Sequence, residues 1–271
     1  MIALVAAGSD AALLSQRSVR GAPEQNLNLA AQQDDPAVTL HWTSRTSALA
    51  VRYKAPMGEM RDRMLRGELY IADDPENEAE FGRVQNLLAR FNGSVPLAWD
   101  ERDALLRRML RHVGEDVVVR PPFYCEYGAI SIGNRTFVNV DTVMLDVAPI
   151  SIGATCQIAA RVQLLTATHP VDPDARRERW ECGRPITLAD NVWLGGGVIV
   201  CPGVTIGQDT VVGAGAVVSR NLPAGVVAAG VPARIMREIG EHDHVEVRPL
   251  STLRTAIQYL PSPVPITANM P

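Results

Sequence analysis

One histidine has the residue type and the surroundings expected of a catalytic group. His169 lies in a polar, proline-rich stretch that runs from residue 166 to residue 174. An imidazole titrates near neutral pH, so it can remove a proton from a hydroxyl group that attacks an electrophile. His169 is therefore the candidate general base, and the alternative is an ordinary loop residue. The remaining histidines lie in other regions of the chain: His41, His112, His242 and His244.

Three consecutive glycines, residues 195–197, form a second feature with chemical meaning. Because glycine has no side chain, a ligand can approach its backbone N–H closely. Such an N–H can stabilise the negative charge that develops on a reacting oxygen. The same glycines could instead do no more than turn a corner of the chain.

The elements that would position these residues follow from an aliphatic residue at every sixth position. A period of six matches neither an α-helix nor an alternating strand. It predicts a parallel β-helix in which each hexapeptide forms one side of a triangular coil and the aliphatic side chain points to the axis. The positions form three runs: Ile132, Val138 and Met144; Ile152, Ile158 and Leu164; and Leu188, Leu194, Val200, Ile206, Val212 and Val218.

The stretch between Leu164 and Leu188 keeps the phase of this pattern but not its content. Polar residues, prolines and a charged run replace the aliphatic hexapeptides. Residues 165–186 are therefore predicted to be a loop that leaves a regular coil. Because such a loop has no packing role in a solenoid, it is the natural place for a functional site.

Composition narrows the class of partner. The 271 residues carry a net charge of −4, which gives no general attraction for nucleic acid. The sequence has no run of about 18 apolar residues that could span a bilayer. The cysteines show no CxxC spacing, which indicates reduced thiols and a cytoplasmic protein. They are Cys125, Cys156, Cys182 and Cys201.

Composition and periodicity divide the chain into four regions. The first lacks a periodic apolar face and is expected to be disordered, so that Met57 or Met60 would be the natural start of the ordered protein. The regions are a disordered extension (1–56), a helical cap with a lead-in to the coil (57–127), the β-helix with its loop and a short C-terminal segment (128–240) and a flexible tail (241–271).

Two amphipathic helices are predicted in the cap. Asp74, Pro75 and Glu76 supply an N-cap, an N1 proline and a first-turn acid, and apolar residues at helical spacing follow them. A second helix of the same kind begins at Asp100. Because each helix has one apolar face, both are expected to lie against the coil.

Several segments in the cap, the loop and the coil carry a specific resemblance. In order they are MLRGELY (64–70), DDPE (73–76), PPFYCEYG (121–128), MLD (144–146), TATHP (166–170), DNVWLGGG (190–197), PGVTIG (202–207) and AAGVPAR (228–234). A hexapeptide run alone would be a fold signal shared by many functions. With the cap, the histidine loop and the Trp-containing turn, residues 57–240 resemble the hexapeptide-repeat sugar O-acetyltransferases, the family of maltose, galactoside and nodulation-factor acetyltransferases.

This resemblance implies a left-handed parallel β-helix with an N-terminal helical cap. It also implies acetyl-CoA as co-substrate, no required metal, and a homotrimer with three sites at its subunit interfaces. In such an enzyme His169 would take the proton of a sugar hydroxyl while the N–H of Gly196 donates to the thioester oxygen. The acceptor side, partly supplied by the cap, would use Asn139, Glu126, Asp146 and Asp74 or its neighbour Asp73. The alternative for Asp74 is a helix cap.

The resemblance also assigns residues to acetyl-CoA, which would lie in a groove between neighbouring coils. Trp193 would shield the thioester, and basic residues near the C-terminal coils would meet the phosphates. The implied set is Trp193, Gly196, Ala214, Ser219, Arg220, Arg234 and Arg237. The alternative for the last two is the solvated face of a terminal helix. Two departures from the family pattern, Cys201 and the pair Ala160–Arg161, remove no group that the reaction needs.

Other functions remain open on the sequence alone. A γ-type carbonic anhydrase uses the same coil but binds zinc through three histidines, and one histidine in the coil region cannot supply them. A non-catalytic hexapeptide assembly protein would be expected to lack the histidine loop. Within the acetyltransferases, an antibiotic or serine acceptor is the closer rival, and the sugar-type cap argues against it. The sequence does not identify the acceptor.

Overall fold

The computed structural model describes residues 58–93 and 98–246, together with the backbone of a strand pair at 38–39 and 52–53. The predicted extension 1–56, apart from that pair, and the predicted tail from residue 247 lie outside the described residues. The described residues up to Arg237 form one compact unit, and those from Glu238 onward belong to a second. In the second unit, residues Glu241–Asp243 form a single 3₁₀ turn.

Short strands dominate the described residues, and the helices are few. The helices are α1 (Glu59–Leu65), α2 (Pro75–Phe91), α3 (Trp99–Met109) and α4 (Pro173–Arg177). The strands are β1 (Val38–Thr39), β2 (Arg52–Tyr53), β3 (His112–Val113), β4 (Val118–Val119), β5 (Phe123–Cys125), β6 (Ile130–Ile132), β7 (Phe137–Val138), β8 (Thr142–Leu145), β9 (Ile150–Ile152), β10 (Gln157–Ile158), β11 (Gln163–Leu165), β12 (Ala167–Thr168), β13 (Cys182–Gly183), β14 (Ile186–Leu188), β15 (Trp193–Leu194), β16 (Ile199–Val200), β17 (Thr205–Ile206), β18 (Val211–Val212), β19 (Val217–Val218), β20 (Val226–Ala229) and β21 (Arg234–Glu238).

Successive strands join in turn three stacked sheets, which are the three sides of a parallel β-helix. Face 1 is β3-β6-β9-β14-β17, face 2 is β4-β7-β10-β15-β18-β20-β21, and face 3 is β5-β8-β11-β16-β19. Within face 1, Ile132, Ile152, Leu188 and Ile206 stand in register and are almost fully buried. The predicted period of six is confirmed, because each of its aliphatic positions is buried along the axis.

The coil begins earlier than the predicted boundary at residue 128. Strands β3, β4 and β5 already pair in parallel with β6, β7 and β8. His112, expected in the cap, therefore lies on the first strand of the coil. The spacing of six was present at Val113, Val119 and Cys125. A diproline and a seven-residue step from Cys125 to Ile132 interrupt the pattern and conceal it.

The cap packs against the first coils, as its apolar faces predicted. The N–H of Glu76 donates to Asp74 Oδ1 at 2.9 Å, so α2 starts at the predicted N-cap. The Asn92 side chain then pairs with the backbone of Phe123, donating to its carbonyl at 2.7 Å and accepting from its N–H at 3.0 Å. One hydrophobic core runs from α2 and α3 into the coil axis.

The predicted loop 165–186 leaves the coil between face 3 and face 1 and folds on itself. Strands β12 and β13 form an antiparallel pair in which Thr168 lies opposite Cys182. Helix α4 is at the tip of this hairpin, and Tyr70 of the cap bridges to Glu181 at its base. The base of the loop is therefore fixed to the cap by backbone hydrogen bonds. No helix among the described residues is both long and apolar enough to cross a bilayer.

Candidate active site

His169 follows β12 directly and lies where the hairpin leaves the coil. Its Nδ1 is 3.2 Å from the carbonyl oxygen of Trp180. Because a carbonyl can only accept, this contact places the proton on Nδ1 and leaves the lone pair on Nε2. The side chain is 54% exposed. His169 therefore has a fixed tautomer and an accessible basic nitrogen.

Glu181 is a site residue that the sequence patterns did not predict. Its Oε2 lies 3.8 Å from Nε2 of His169. Its backbone is held by two hydrogen bonds of 2.9 Å with Tyr70, one in each direction. The antiparallel register of β12 and β13 brings Glu181 opposite His169, so a hairpin prediction for residues 167–183 would have found it. The aliphatic period gives no such signal, because the loop lies outside the coil.

A cleft of about 390 Å³ opens beside these two side chains. Asp73 and Arg179 lie on its wall and form an ion pair with Arg179 Nη2 2.6 Å from Asp73 Oδ2. Asp74, in contrast, is buried as the N-cap of α2, and its second oxygen accepts from the N–H of Arg61 at 3.3 Å. Of the two candidate aspartates, Asp73 is therefore the one that faces the cleft.

Glu126 is a partly buried carboxylate on the same side of the molecule. Burial raises the pKa of Glu126 to about 7, and the negative charges of Asp146 and Glu181 add to this shift. Its Oε2 is buried without a hydrogen-bond partner among the described residues, as is the hydroxyl of Tyr70. A carboxyl group with such a pKa is partly protonated near neutral pH, so Glu126 can donate a hydrogen bond as well as accept one.

Asp146 is fully buried and its oxygens are engaged by the backbone. The N–H groups of Glu126 and Tyr127 donate to Oδ1 at 2.7 and 3.1 Å, and the N–H of Ala129 donates to Oδ2. Burial raises the pKa of Asp146, and these donors oppose the shift. Asp146 thus holds the turn that carries Glu126, and its contribution to an acceptor site would be indirect.

A row of unpaired backbone amides follows the corner between face 2 and face 3, here called corner A. The N–H of Gly197 donates to Ala160, and that of Gly215 donates to Gly196, both at 2.9 Å. The intervening amides of Ala160, Gly196 and Ala214 have no acceptor within the described residues. The row can therefore donate to a ligand that runs along the coil axis.

Asn139 lies at corner A, one coil before Ala160. Its Oδ1 accepts from the N–H of Val140 at 2.9 Å, which leaves the amide nitrogen as the group free to meet a ligand. Trp193 stands on the adjoining face 2 and is 53% exposed. The structure thus brings together, at corner A, three of the residues that the resemblance assigns to acetyl-CoA: Trp193, Gly196 and Ala214.

The structure divides the expected site residues between two corners of the coil. Glu126, Asp146 and His169 lie at the corner between face 3 and face 1, here called corner B, whereas Asn139 and Gly196 lie at corner A. The corners are separated by one side of the triangle, about six residues or roughly 20 Å. In a single chain, the base and the amide row therefore do not meet.

The remaining expected cofactor residues lie toward the last coils. Ser219 and Arg220 follow β19 at corner B, and Arg234 and Arg237 lie on β21. All three arginines are exposed, and Ser219 is half-buried. The alternative of a terminal helix for Arg234 and Arg237 is wrong, because this segment is an edge strand of face 2. Among residues 58–93 and 98–246, no three histidine, cysteine or acidic side chains are grouped as metal ligands would be.

Two family models match the chain. The maltose acetyltransferase hexapeptide capping motif matches residues 63–114, and the bacterial transferase hexapeptide model, with six repeats, matches residues 185–220. Nodulation protein L from Rhizobium meliloti (strain 1021) is 44% identical over 176 residues, which are 65% of this chain and 96% of that protein.

Solved structures show the same architecture. A maltose O-acetyltransferase from Clostridium difficile 630 is 38% identical, with a TM-score of 0.66 over 69% of this chain and 100% of that one. A hexapeptide-repeat acetyltransferase from Vibrio cholerae O1 biovar eltor, complexed with acetyl coenzyme A, is 39% identical, with a TM-score of 0.64 over 68% of this chain and 100% of that one. The predicted fold class, a left-handed parallel β-helix with a helical cap, is confirmed. The chain belongs to the hexapeptide-repeat acetyltransferase family, in the group that carries the maltose acetyltransferase cap.

Proposed function

We propose that the protein transfers an acetyl group from acetyl-CoA to a hydroxyl group of a sugar, with His169 as general base. The observation that carries this proposal is the state of the imidazole. Its Nδ1 proton is held by the Trp180 carbonyl, and its Nε2 is accessible at a cleft lined by polar side chains. The acetyltransferase relatives, one of them complexed with acetyl coenzyme A, support the choice of co-substrate.

The proposed reaction is an acyl transfer through a tetrahedral intermediate. Nε2 of His169 takes the hydroxyl proton as the hydroxyl oxygen forms a bond to the thioester carbon. The carbon–sulfur bond then breaks, and the imidazolium returns the proton to the departing thiolate. The products are the acetyl ester and free coenzyme A, and His169 ends neutral.

The carboxylates at corner B have separate roles in this proposal. Glu181 stabilises the imidazolium that forms when Nε2 accepts the proton, because its carboxylate is 3.8 Å away. Glu126 and Asp73 offer hydrogen bonds to the acceptor's other hydroxyls. Partly protonated Glu126 is suited to a hydroxyl, which is itself both donor and acceptor.

The amide row at corner A supplies the acyl-donor side. The N–H of Gly196 would donate to the oxygen that becomes negative in the intermediate, which is worth a few kcal/mol where water is excluded. Ala160 and Ala214 would bond the pantetheine arm, Trp193 would cover the thioester, and basic residues would meet the phosphates. Those basic residues are Arg220, Arg234 and Arg237.

Replacement of His169 by alanine tests the mechanism. We expect turnover to fall by about 10²- to 10⁴-fold, the usual effect of losing a positioned base, while acetyl-CoA binding stays near wild type. Thiol release measures turnover with a panel of sugars, and calorimetry measures acetyl-CoA binding. His112→Ala is the matched control, since His112 is an exposed histidine on the coil outside the cleft. Wild-type turnover of His169→Ala, with chemistry rate-limiting, would contradict the proposal.

The same panel separates the acceptor classes. Maltose, glucose and galactosides test the sugar proposal, while serine and a hydroxyl-bearing antibiotic test the rivals within the family. The sugar proposal predicts the highest kcat/KM with one of the sugars. A higher kcat/KM with serine or the antibiotic would overturn it and leave the acetyl-CoA chemistry intact.

A further inference from the structure

A second and larger cleft lies between the helical cap and the first coils. Its volume is about 470 Å³, within the range of sites that hold small organic ligands. Its walls come from α1, α2, the end of α3 and the turn after β5. The cleft that contains His169 has different charged residues on its walls, so the two are separate features of the surface.

Positive charge dominates this cap cleft. Four arginines line it, Arg61, Arg83, Arg108 and Arg111, against two carboxylates, Glu80 and Asp146. Asp146 is already engaged by three backbone N–H groups. The carboxylates therefore do not balance the arginines, and two positive charges remain in excess.

Internal pairing accounts for two of the four arginines. Arg83 binds Glu80 through two hydrogen bonds of 2.9 and 2.7 Å, and also donates to the Arg108 carbonyl at 2.7 Å. Arg61 donates to Asn77 Oδ1 at 3.2 Å and lies 3.9 Å from the Glu76 carboxylate. These two side chains are held by the cap itself.

The guanidinium groups of Arg108 and Arg111 have no ion pair or hydrogen bond within the described residues. Their backbones are nevertheless fixed. The Arg108 carbonyl accepts from Arg83, and the N–H of Arg111 donates to the carbonyl of Gly128 at 2.8 Å. Two arginines that line one cleft therefore have fixed backbones and guanidinium groups without an internal partner among the described residues. Such groups match the oxygens of a carboxylate or phosphate.

The rest of the wall suits the body of an organic molecule. Met64 and Leu65 of α1, Val147 and Pro149 of the coil, and the Tyr127 ring contribute apolar surface to the same cleft. Inorganic ions alone would gain nothing from this surface, whereas a sugar ring or short carbon chain would bury area against it.

We propose that the cap cleft binds a small organic oxyanion, a phosphate monoester or a carboxylate, through Arg108 and Arg111. The cap cleft shares no lining residue with the cleft of His169, and the proposal does not depend on the transferase function. Its ligand class follows from the two free guanidinium groups and the apolar wall.

Calorimetric titration tests the site with glucose 6-phosphate and glucuronate, which distinguish the two oxyanions, and with glucose as the neutral counterpart. Coenzyme A is present at saturation, so that any phosphate site at Arg234 and Arg237, as proposed above, is occupied. We expect one or both anions to bind, with affinity that falls as salt rises, and glucose not to bind at the cap cleft. The double variant Arg108→Gln/Arg111→Gln should lose about tenfold or more in affinity.

Arg90→Gln is the matched control, because Arg90 is an exposed arginine on α2 outside the cleft. It should leave anion binding unchanged. Equal anion affinity in the wild type and the double variant, with both folded, would overturn the proposal, as would no binding of either anion by the wild type. Because the readout is binding, failure of the acetyltransferase assay would leave this result interpretable.

Discussion

The environment of Glu181 makes a prediction about catalysis. Its side chain is partly buried, and among the described residues its carboxylate is the only one within 4 Å of a ring nitrogen of His169. Glu181→Gln keeps the shape and the backbone bridge to Tyr70 but removes the charge that stabilises the imidazolium. We expect kcat to fall about tenfold, which corresponds to about 1.4 kcal/mol of lost electrostatic stabilisation in the transition state, with KM for acetyl-CoA unchanged. Steady-state kinetics measures both constants, and an unchanged kcat would show that Glu181 does not act on the base.

Glu126 makes a prediction about stability and pH. Burial raises its pKa from 4.5 to about 7, so the folded protein binds a proton that the unfolded chain releases between these values. Stability therefore falls as pH rises from about 4.5 to about 7, and the penalty persists above that range. Glu126→Gln removes it.

We expect the free energy of unfolding of Glu126→Gln to exceed that of the wild type by about 1–3 kcal/mol at pH 8. At pH 4.5 the two proteins should differ little. Urea denaturation at the two pH values measures this. Glu115→Gln, at an exposed position outside both clefts, is the control and should show no such pH dependence. A gain of the same size at both pH values would contradict the titration of Glu126.

The residue types near the site were predictable, but their neighbours were not. His169 and the glycines stand out because their chemistry is rare in a repeating sequence. Asp73 and Asp74 could not be distinguished, because one step along the chain decides between a helix cap and a cleft wall. Glu181 depends on a hairpin whose strands are two residues long, too short to leave a periodic pattern.

At the scale of elements, the start of α2 separates structural from functional carboxylates. Asp74→Ala removes the N-cap acceptor of Glu76 and should cost about 1–2 kcal/mol of stability. Asp73→Asn keeps the cap and should change the free energy of unfolding by less than about 0.5 kcal/mol, because its ion pair with Arg179 is exposed. If the proposed function is correct, Asp73→Asn should also raise KM for the acceptor.

Denaturation and acceptor kinetics on both variants measure these effects. The two changes serve as controls for each other, since the residues are adjacent and carry the same charge. A large loss of stability in Asp73→Asn, with no change in KM, would reverse the assignment.

The coil was the most predictable element and its insert the least. Each position in the period of six is fixed by burial on the axis, so the amino-acid sequence must repeat wherever the coil does. The first coil was hidden because Pro121 and Pro122 stand between Val119 and Cys125. The hairpin 167–183 buries little on the axis, so no repeating pattern was required of it.

At the scale of the whole molecule, the outward side chains of the three faces differ. Face 1 presents hydroxyl groups in register at Ser131, Ser151, Thr187 and Thr205. Face 2 and face 3 present apolar side chains at several of the equivalent positions, which include Phe137, Trp193, Val211, Val143, Ile199 and Val217. Two adjacent faces are thus suited to contact other protein, and the third is suited to water.

These two faces meet at corner A, which carries the amide row and lies away from His169. A neighbouring copy whose corner A packs beside corner B would bring Gly196 of one chain toward His169 of the next. Three copies close this arrangement with cyclic symmetry and give three equivalent sites. We therefore expect a homotrimer in solution, with catalysis that depends on assembly.

Light scattering should give about three times the chain mass of 29.3 kDa. Ile199→Asp places a charge on apolar face 3 and should dissociate the trimer and abolish acetyl transfer, while Thr187→Asp on face 1 should leave both unchanged.

Mixing His169→Ala chains with Gly196→Pro chains, which lack the N–H, tests the shared site directly. In mixed trimers, some interfaces combine the intact His169 of a Gly196→Pro chain with the intact Gly196 of a His169→Ala chain. Some activity should therefore return. A fully active monomer, or no recovery in mixed trimers that form, would show that each chain completes its own site.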